Sequence, residues 1–230
     1  MIFRKDTNSF DLVGDGDDVD VVEAIESAFE ITISNEEAES TITMGDLFDL
    51  IVRKLNIDES PRQVCLTAVT FYRLRQALSR CGYSDGLTPH SDLNVLFRRS
   101  STRRVWKLLA SESNLELPYL GYARVSLVAL SVLLFISVSC ALILHSFYPV
   151  GVGLVLALGL SFVLPQSVQR PYESLGELSR AVIALNFGKL SRQYEQYHGD
   201  DIWRSAVDVV QMCTGHVHNG PVDRSTRFFA

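Results

Sequence analysis

Hydrophobic residues along this chain form several amphipathic helical patterns and one long apolar block. The block runs from Val125 to Gln169, 45 residues without Asp, Glu, Lys or Arg. Its first part, Val125 to Tyr148, exceeds the roughly 20 residues that an α-helix needs to cross a hydrocarbon core. Its second part, Val150 to Leu164, is shorter but contains glycines that permit close helix contact. The pattern predicts a two-helix transmembrane hairpin over 125–169, and the alternative is a buried hairpin in a soluble core.

Two amphipathic helices are predicted before the block, over Asp17 to Phe29 and over Met44 to Leu55. Apolar residues of the first helix recur at spacings of three and four, which predicts this inner face: Val19, Val22, Ile25, Ala28 and Phe29. Most of its other positions are acidic: Asp17, Asp18, Asp20, Glu23 and Glu26. By pattern alone, these carboxylates form the solvated face of a small structural bundle.

Further helical patterns lie on both sides of the block. They cover Pro61 to Leu78, a short stretch after Thr88, Thr102 to Leu109, Pro171 to Phe187, and Asp201 to Met212. Because these patterns are helical, the fold class is predicted to be mainly α.

Charge divides the chain into segments of different sign. Residues 1–60 contain 16 acidic and 4 basic residues, residues 61–124 contain 4 acidic and 10 basic ones, and residues 170–230 contain 7 of each. We therefore divide the chain into an acidic helical segment (1–60), a basic helical neck (61–124), the hairpin (125–169) and a helical tail (170–230).

Basic residues flank the apolar block on both sides, whereas the connection 145–149 has no Lys or Arg. By the positive-inside rule, both termini lie in the cytoplasm, which predicts a multi-pass protein of the inner (cytoplasmic) membrane. The arginines of the neck suit anionic lipid headgroups, and an acidic partner is the alternative. A net charge of −6 argues against a general nucleic-acid binder, so we expect no nucleic-acid partner. A membrane-bound regulator with a nucleic-acid-binding neck is kept as an alternative function.

The segment AIESAFEITISNEEAESTITMGDLFDLI, Ala24 to Ile51, resembles the second half of an acyl carrier protein, a member of the phosphopantetheine carrier domain family. Phe29, Ile33, the Glu-Glu-Ala-Glu of 36–39 and the segment 43–47 match the order of that family without gaps. The resemblance implies a helical bundle whose acidic recognition helix is bound by Arg and Lys of partner enzymes. For this chain it implies partner binding through Asp17, Asp18, Asp20, Glu23 and Glu26.

The chain departs from the family at the attachment site. Carrier domains hold phosphopantetheine on a Ser at the start of the recognition helix, and counting back from Phe29 puts Asp15 at that position. A carboxylate cannot form the phosphodiester, so the resemblance here implies a degenerate carrier without a cofactor. The alternative is a functional acyl carrier that is modified at an unexpected serine, such as Ser9 or Ser27.

A carrier domain also has a long first helix, for which the residues before Asp17 are too few. The tail pattern of 201–212, followed by 217–228, resembles that helix and its loop. We expect the two ends of the chain to form one bundle, as in a circular permutation. The same closure between two chains would give a homodimer, and an unrelated amphipathic helix at the membrane surface is the alternative.

No arrangement of a nucleophile and a base indicates an enzyme, and we predict none. Cys213, His216 and His218 form the densest group of metal-ligand types, but without a second pair elsewhere we expect a plain loop and no metal. The predicted function is a membrane-anchored, non-catalytic adaptor or regulator in lipid or acyl metabolism.

Overall fold

The structure is a computed structural model that describes residues 8–10, 12, 17–56, 65–83, 86–98, 101–161, 164–169, 171–195, 198–214 and 221–229. It is mainly α-helical, as the sequence predicts. Within these residues the helices are α1 (Asp17–Phe29), α2 (Asn35–Glu39), α3 (Met44–Leu55), α4 (Leu66–Arg80), α5 (Leu93–Leu96), α6 (Thr102–Ser113), α7 (Arg124–Leu144), α8 (Tyr148–Ser161), α9 (Leu175–Leu185), α10 (Phe187–Tyr194) and α11 (Gly199–Thr214). The short strands β1 (Gly121–Tyr122) and β2 (Gln166–Ser167) pair antiparallel.

The bounds of several helices follow from local sequence signals. The helices α1 and α3 have the bounds that the hydrophobic pattern predicts. Capping boxes start three helices, with Ser34 and Glu37 at α2, Thr43 and Asp46 at α3, and Ser174 and Glu177 at α9. The helix α9 therefore begins after the predicted start at Pro171. The predicted start of the first neck helix, 61–64, lies outside the described residues.

The buried face of α1 differs from the predicted one. Val19 is 55% exposed, whereas Val21, which the spacing placed outside the inner face, is 5% exposed. The buried residues Val21, Ile25, Ala28 and Phe29 form one stripe that is rotated away from Val19, because α9, α10 and α11 pack against that side of α1. The prediction for Ile25, Ala28 and Phe29 is correct, since all three are buried.

The helices outside the apolar block share one hydrophobic core. The helix α11 contacts α1, α3 and α9, and α4 contacts α6 and α9. Fully buried residues from the acidic segment, the neck and the tail belong to the same cluster, for example Phe29, Leu74, Leu178 and Val209. The three charge-defined segments are therefore packed together.

The two ends of the chain pair through their backbones. The carbonyl of Asn8 accepts from the amide of Arg227 (3.0 Å), and the amide of Phe10 donates to the carbonyl of Arg227 (2.9 Å). The amide of Met44, in the first turn of α3, donates to the carbonyl of Thr226 (2.9 Å). Residues 224–228 thus lie between residues 8–12 and α3 in the described part of the chain.

The helices α7 and α8 pack against each other and leave most of their apolar side chains exposed. Among the described residues, one helix, Val125–Leu144, is long and apolar enough to cross a membrane. The helix α8 has 14 residues and does not meet that length. It begins before Pro149, because a proline ring is tolerated in the first turn of a helix.

The two ends of this helix pair meet at the paired strands. Tyr122 pairs with Gln166, and the hydroxyl of Ser126 donates to the carbonyl of Pro165 at 2.8 Å. The chain therefore enters α7 and returns from α8 at adjacent points.

Candidate functional site

The acidic helix α1 borders a groove of about 450 Å³ that it shares with α2, α3 and both ends of the chain. Its lining is mostly apolar: Leu12, Val19, Val21, Val22, Ile33, Ala38, Ile42, Leu47, Phe228 and Phe229. Carboxylates of Asp18, Glu23, Glu26 and Glu39 also line it. We call this feature the acidic groove.

The structure separates the acidic residues that the sequence grouped together. Asp18 and Glu23 are exposed beside the groove, which suits contact with a partner. Glu26 is half-buried, and its Oε1 accepts a hydrogen bond of 2.6 Å from the amide of Ile33. Glu26 therefore also fixes the chain that follows α1.

Asp20 lies on a different side of α1. Its charge acts on Cys213 at the end of α11, where burial first and Asp20 second raise the pKa of the thiol. Asp20 is not among the groove-lining residues. The structure describes the backbone of Asp17 at the start of α1, and Asp15 lies outside the described residues.

The wall opposite α1 is held by charged capping residues. The carboxylate of Glu37 closes the capping box of α2 and pairs with Lys54 of α3 at 2.7 Å, and these hydrogen bonds lower its pKa. At α3, the carboxylate of Asp46 accepts from the hydroxyl of Thr43 (2.8 Å) and from its amide (2.9 Å), which lowers the pKa of Asp46. The groove thus has a fixed wall.

The end of the chain provides the part of the groove that sequence reasoning missed. The ring of Phe228 stacks on that of Phe10 with centroids 6.1 Å apart, and the amide of Leu12 donates to the carbonyl of Phe228 (3.0 Å). Phe228 and Phe229 line the groove. The only sequence signal for them was the expected closure of the two ends.

The chemistry of the groove suits a cationic, partly apolar ligand, because carboxylates surround an apolar surface. Within the described part of the chain, no three His, Cys, Asp or Glu residues are grouped to hold a metal ion. Cys213 is described there, and His216 and His218 lie outside it. Of the two alternative attachment serines, Ser27 is exposed on α1 and Ser9 is buried.

A second, smaller cavity of about 260 Å³ lies between α9, α11 and the chain that returns from α8. Tyr172, Glu177, Arg180 and Asp208 are among its lining residues. Burial raises the pKa of Asp208 to about 6, although Arg180 and Arg204 partly oppose this, and it raises the pKa of Tyr172 to about 12. Sequence reasoning did not single out Asp208, because its burial depends on neighbours that are distant in the chain.

Comparison of the chain with protein-family models, with curated proteins and with solved structures found no match.

Proposed function

We propose that this protein is a membrane-anchored, non-catalytic adaptor that presents a degenerate acyl-carrier-like module to a partner in lipid or acyl metabolism. The observation that carries the proposal is the order of packed helices in the module. In space, α11 is followed by the paired chain ends, α1, the short α2 and α3. This is the helix order of a carrier domain, with the paired ends in place of the loop after the first helix.

The contacts within this module support a single bundle. The helix α11 packs against both α1 and α3, and Ile202, Ala206, Val209 and Val210 are buried on its inner face. An amphipathic helix lying on a membrane surface would leave its apolar face for lipid. These four buried residues therefore favour the circularly permuted carrier arrangement over that alternative.

The anchor is the pair α7 and α8. The apolar helix α7 has the length of a span, and its exposed side chains include Val128, Phe135 and Leu142. After α8, Pro165 lies beside the start of α7, because the amide of Ala123 donates to the carbonyl of Pro165 at 3.2 Å. This return supports a transmembrane hairpin that keeps both flanking segments on one side, which the basic flanks assign to the cytoplasm.

The proposed partner surface is the acidic groove, and it would bind Arg and Lys side chains of an acyl-carrier-recognising enzyme. Asp18 and Glu23 are exposed beside apolar Val19 and Val22, so a partner gains both charge pairing and apolar contact. Glu26 is a poor choice for a test of binding, because its loss would also release Ile33.

A capture experiment with charge reversal tests this recruitment. The purified full chain in detergent is immobilised, and bound enzymes of acyl-chain synthesis are quantified from a membrane-free lysate by mass spectrometry. The D18K/E23K variant should lose at least ten-fold of the specific capture, because two attractive charges become repulsive. The matched control D20K/D200K changes the same charge away from the groove and should retain it. Equal capture by both variants would refute recruitment through this groove.

The loss of the attachment serine is tested by incubation with a phosphopantetheinyl transferase and coenzyme A. The intact mass of the chain should stay unchanged. A gain of one phosphopantetheine would instead show a functional carrier, and the S27A variant would then identify or exclude the exposed serine of α1.

A further inference from the structure

We propose that one surface of the neck, formed by α5, α6 and Tyr119, binds the headgroups of an anionic phospholipid bilayer and holds the helical body against the membrane. The inference rests on the proposed membrane anchor. It adds a second, peripheral contact with the bilayer and names the lipid chemistry that this contact requires.

The position of this surface follows from its attachment to the base of the apolar helix pair. The side chain of Asn94 in α5 donates to the carbonyl of Val168 (3.1 Å) and accepts from its amide (3.0 Å), directly after β2. The indole Nε1 of Trp106 in α6 donates to the carbonyl of Pro118 (3.0 Å), shortly before β1, and α6 also contacts β2. Both helices are thus fixed where the chain enters and leaves the apolar pair.

The exposed side chains of this surface are cationic and apolar. Arg98, Arg104 and Lys107 are exposed, and so are the apolar residues Val95 of α5 (67%) and Leu108 of α6 (45%). Tyr119 is 98% exposed, only two residues before β1, where an aromatic ring suits the membrane–water interface. Cations that neighbour apolar side chains are what an anionic headgroup layer binds, since the charges meet phosphates while the apolar groups enter the interface.

The nearby carboxylates offset only part of this charge. The carboxylate of Asp92 accepts from the amides of Asn94 (2.8 Å) and Val95 (3.2 Å) at the start of α5. Glu112, which lies one turn after Leu108 on α6, is exposed, and its charge is paired with that of Arg80 of α4 at 3.4 Å. Glu116 is exposed, and a positive excess is left around Arg104 and Lys107.

The test uses the full chain in lipid nanodiscs, with its four cysteines replaced and one fluorescent label added at L108C or at Y119C. The nanodiscs contain either zwitterionic lipid or one third anionic lipid, each with a nitroxide-labelled headgroup that quenches a nearby fluorophore. The label at Y119C reports the anchored base, and the label at L108C reports the proposed surface. We expect quenching of Y119C in both lipids and strong quenching of L108C only with anionic lipid.

The variant R104Q/K107Q should lower the equilibrium constant between the membrane-bound and the detached helical body roughly 30-fold. Each basic residue near an anionic surface contributes about five-fold to this constant. The control R53Q/R204Q removes the same charge from α3 and α11 and should leave quenching of L108C unchanged.

Quenching of Y119C without quenching of L108C in anionic lipid overturns this inference but keeps the anchor. Absence of both signals overturns the anchor as well. A response of L108C to duplex DNA instead of anionic lipid would make nucleic acid the ligand and overturn the inference.

Discussion

The amide of Gly45, in the first turn of α3, donates a hydrogen bond of 3.0 Å to the carbonyl of Arg224 near the end of the chain. The approach is so close that a Cβ atom at position 45 would lie 2.7 Å from the same carbonyl oxygen. The guanidinium of Arg224 also pairs with Asp49 and lies 5.2 Å from the centre of the Phe48 ring. The first two turns of α3 therefore contact the end of the chain through both backbone and side chains.

Replacement of Gly45 by alanine tests this contact. The G45A variant should lose about 1–3 kcal/mol of unfolding free energy, because backbone atoms cannot move aside as a flexible side chain could. Urea unfolding in detergent, followed by far-UV circular dichroism, measures the loss. In the control G199A the nearest atom, Cζ of Phe48, is at 3.9 Å, so no such loss is expected. Equal stability of G45A and the wild type would show that the end of the chain does not pack on α3 in solution.

Asp208 predicts a defined pH dependence of stability. Its folded pKa of about 6 lies above its ordinary value of 3.8, so the folded chain holds this proton more tightly than the unfolded chain. The protonated group contributes its full stabilisation of the folded state below pH 4, and this contribution is lost as the pH rises to about 6. Above that pH, the ionised Asp208 lowers the free energy of unfolding by about 1–3 kcal/mol. Asn cannot ionise, so D208N should lack this change and gain relative to the wild type as the pH rises.

Urea midpoints of the wild type and D208N at pH 4.5, 6 and 7.5 measure the difference between them. R180Q provides the control, because Arg180 lowers the pKa of Asp208 and its removal should shift the loss to a higher pH. A constant difference between the wild type and D208N over this range would contradict the assignment.

The sequence was informative where structure is determined locally. Helix bounds such as those of α1 and α3 depend on amphipathic spacing and on caps such as Thr43, all of which lie within a few residues. The burial of Val21 in place of Val19 was not predictable, because it depends on which helices surround α1. Periodicity predicts that α1 has one inner stripe, whereas the neighbouring helices determine how far that stripe is rotated about the helix axis.

The same limit applies to the candidate site. The acidic character of α1 was evident from the sequence, and so was the expectation that the chain ends meet. The different environments of Glu26 and Asp20 were not evident from the sequence. Glu26 accepts a hydrogen bond from Ile33 in the segment after α1, and Asp20 acts on Cys213 of α11. Contacts between residues that are far apart in the chain can be identified only from the three-dimensional structure.

Asn186 connects the tail to the neck and should be essential for that packing. It is 5% exposed, its Oδ1 accepts from the amide of Glu116 (2.8 Å), and its Nδ2 donates to the carbonyls of Glu116 (2.9 Å) and Val182 (2.7 Å). N186L should lose about 2–4 kcal/mol of unfolding free energy, because the backbone of Glu116 is left without partners. Urea unfolding measures this loss, and Q76L, the same kind of change at an exposed position of α4, should stay within about 0.5 kcal/mol. A loss in N186L no larger than in Q76L would contradict this role.

Gly153 determines how closely α8 approaches α7. A Cβ atom at this position would overlap the side chain of Ser137, whereas nothing lies within 4 Å of a Cβ atom at Gly151. G153V should therefore separate the two helices, while G151V, which adds the same bulk on the open side, should not. The distance between α7 and α8 is measured between spin labels at S131C of α7 and L158C of α8, in nanodiscs. A longer distance in G153V alone is the expected result, and equal distances in both variants would show that the helices do not pack through Gly153.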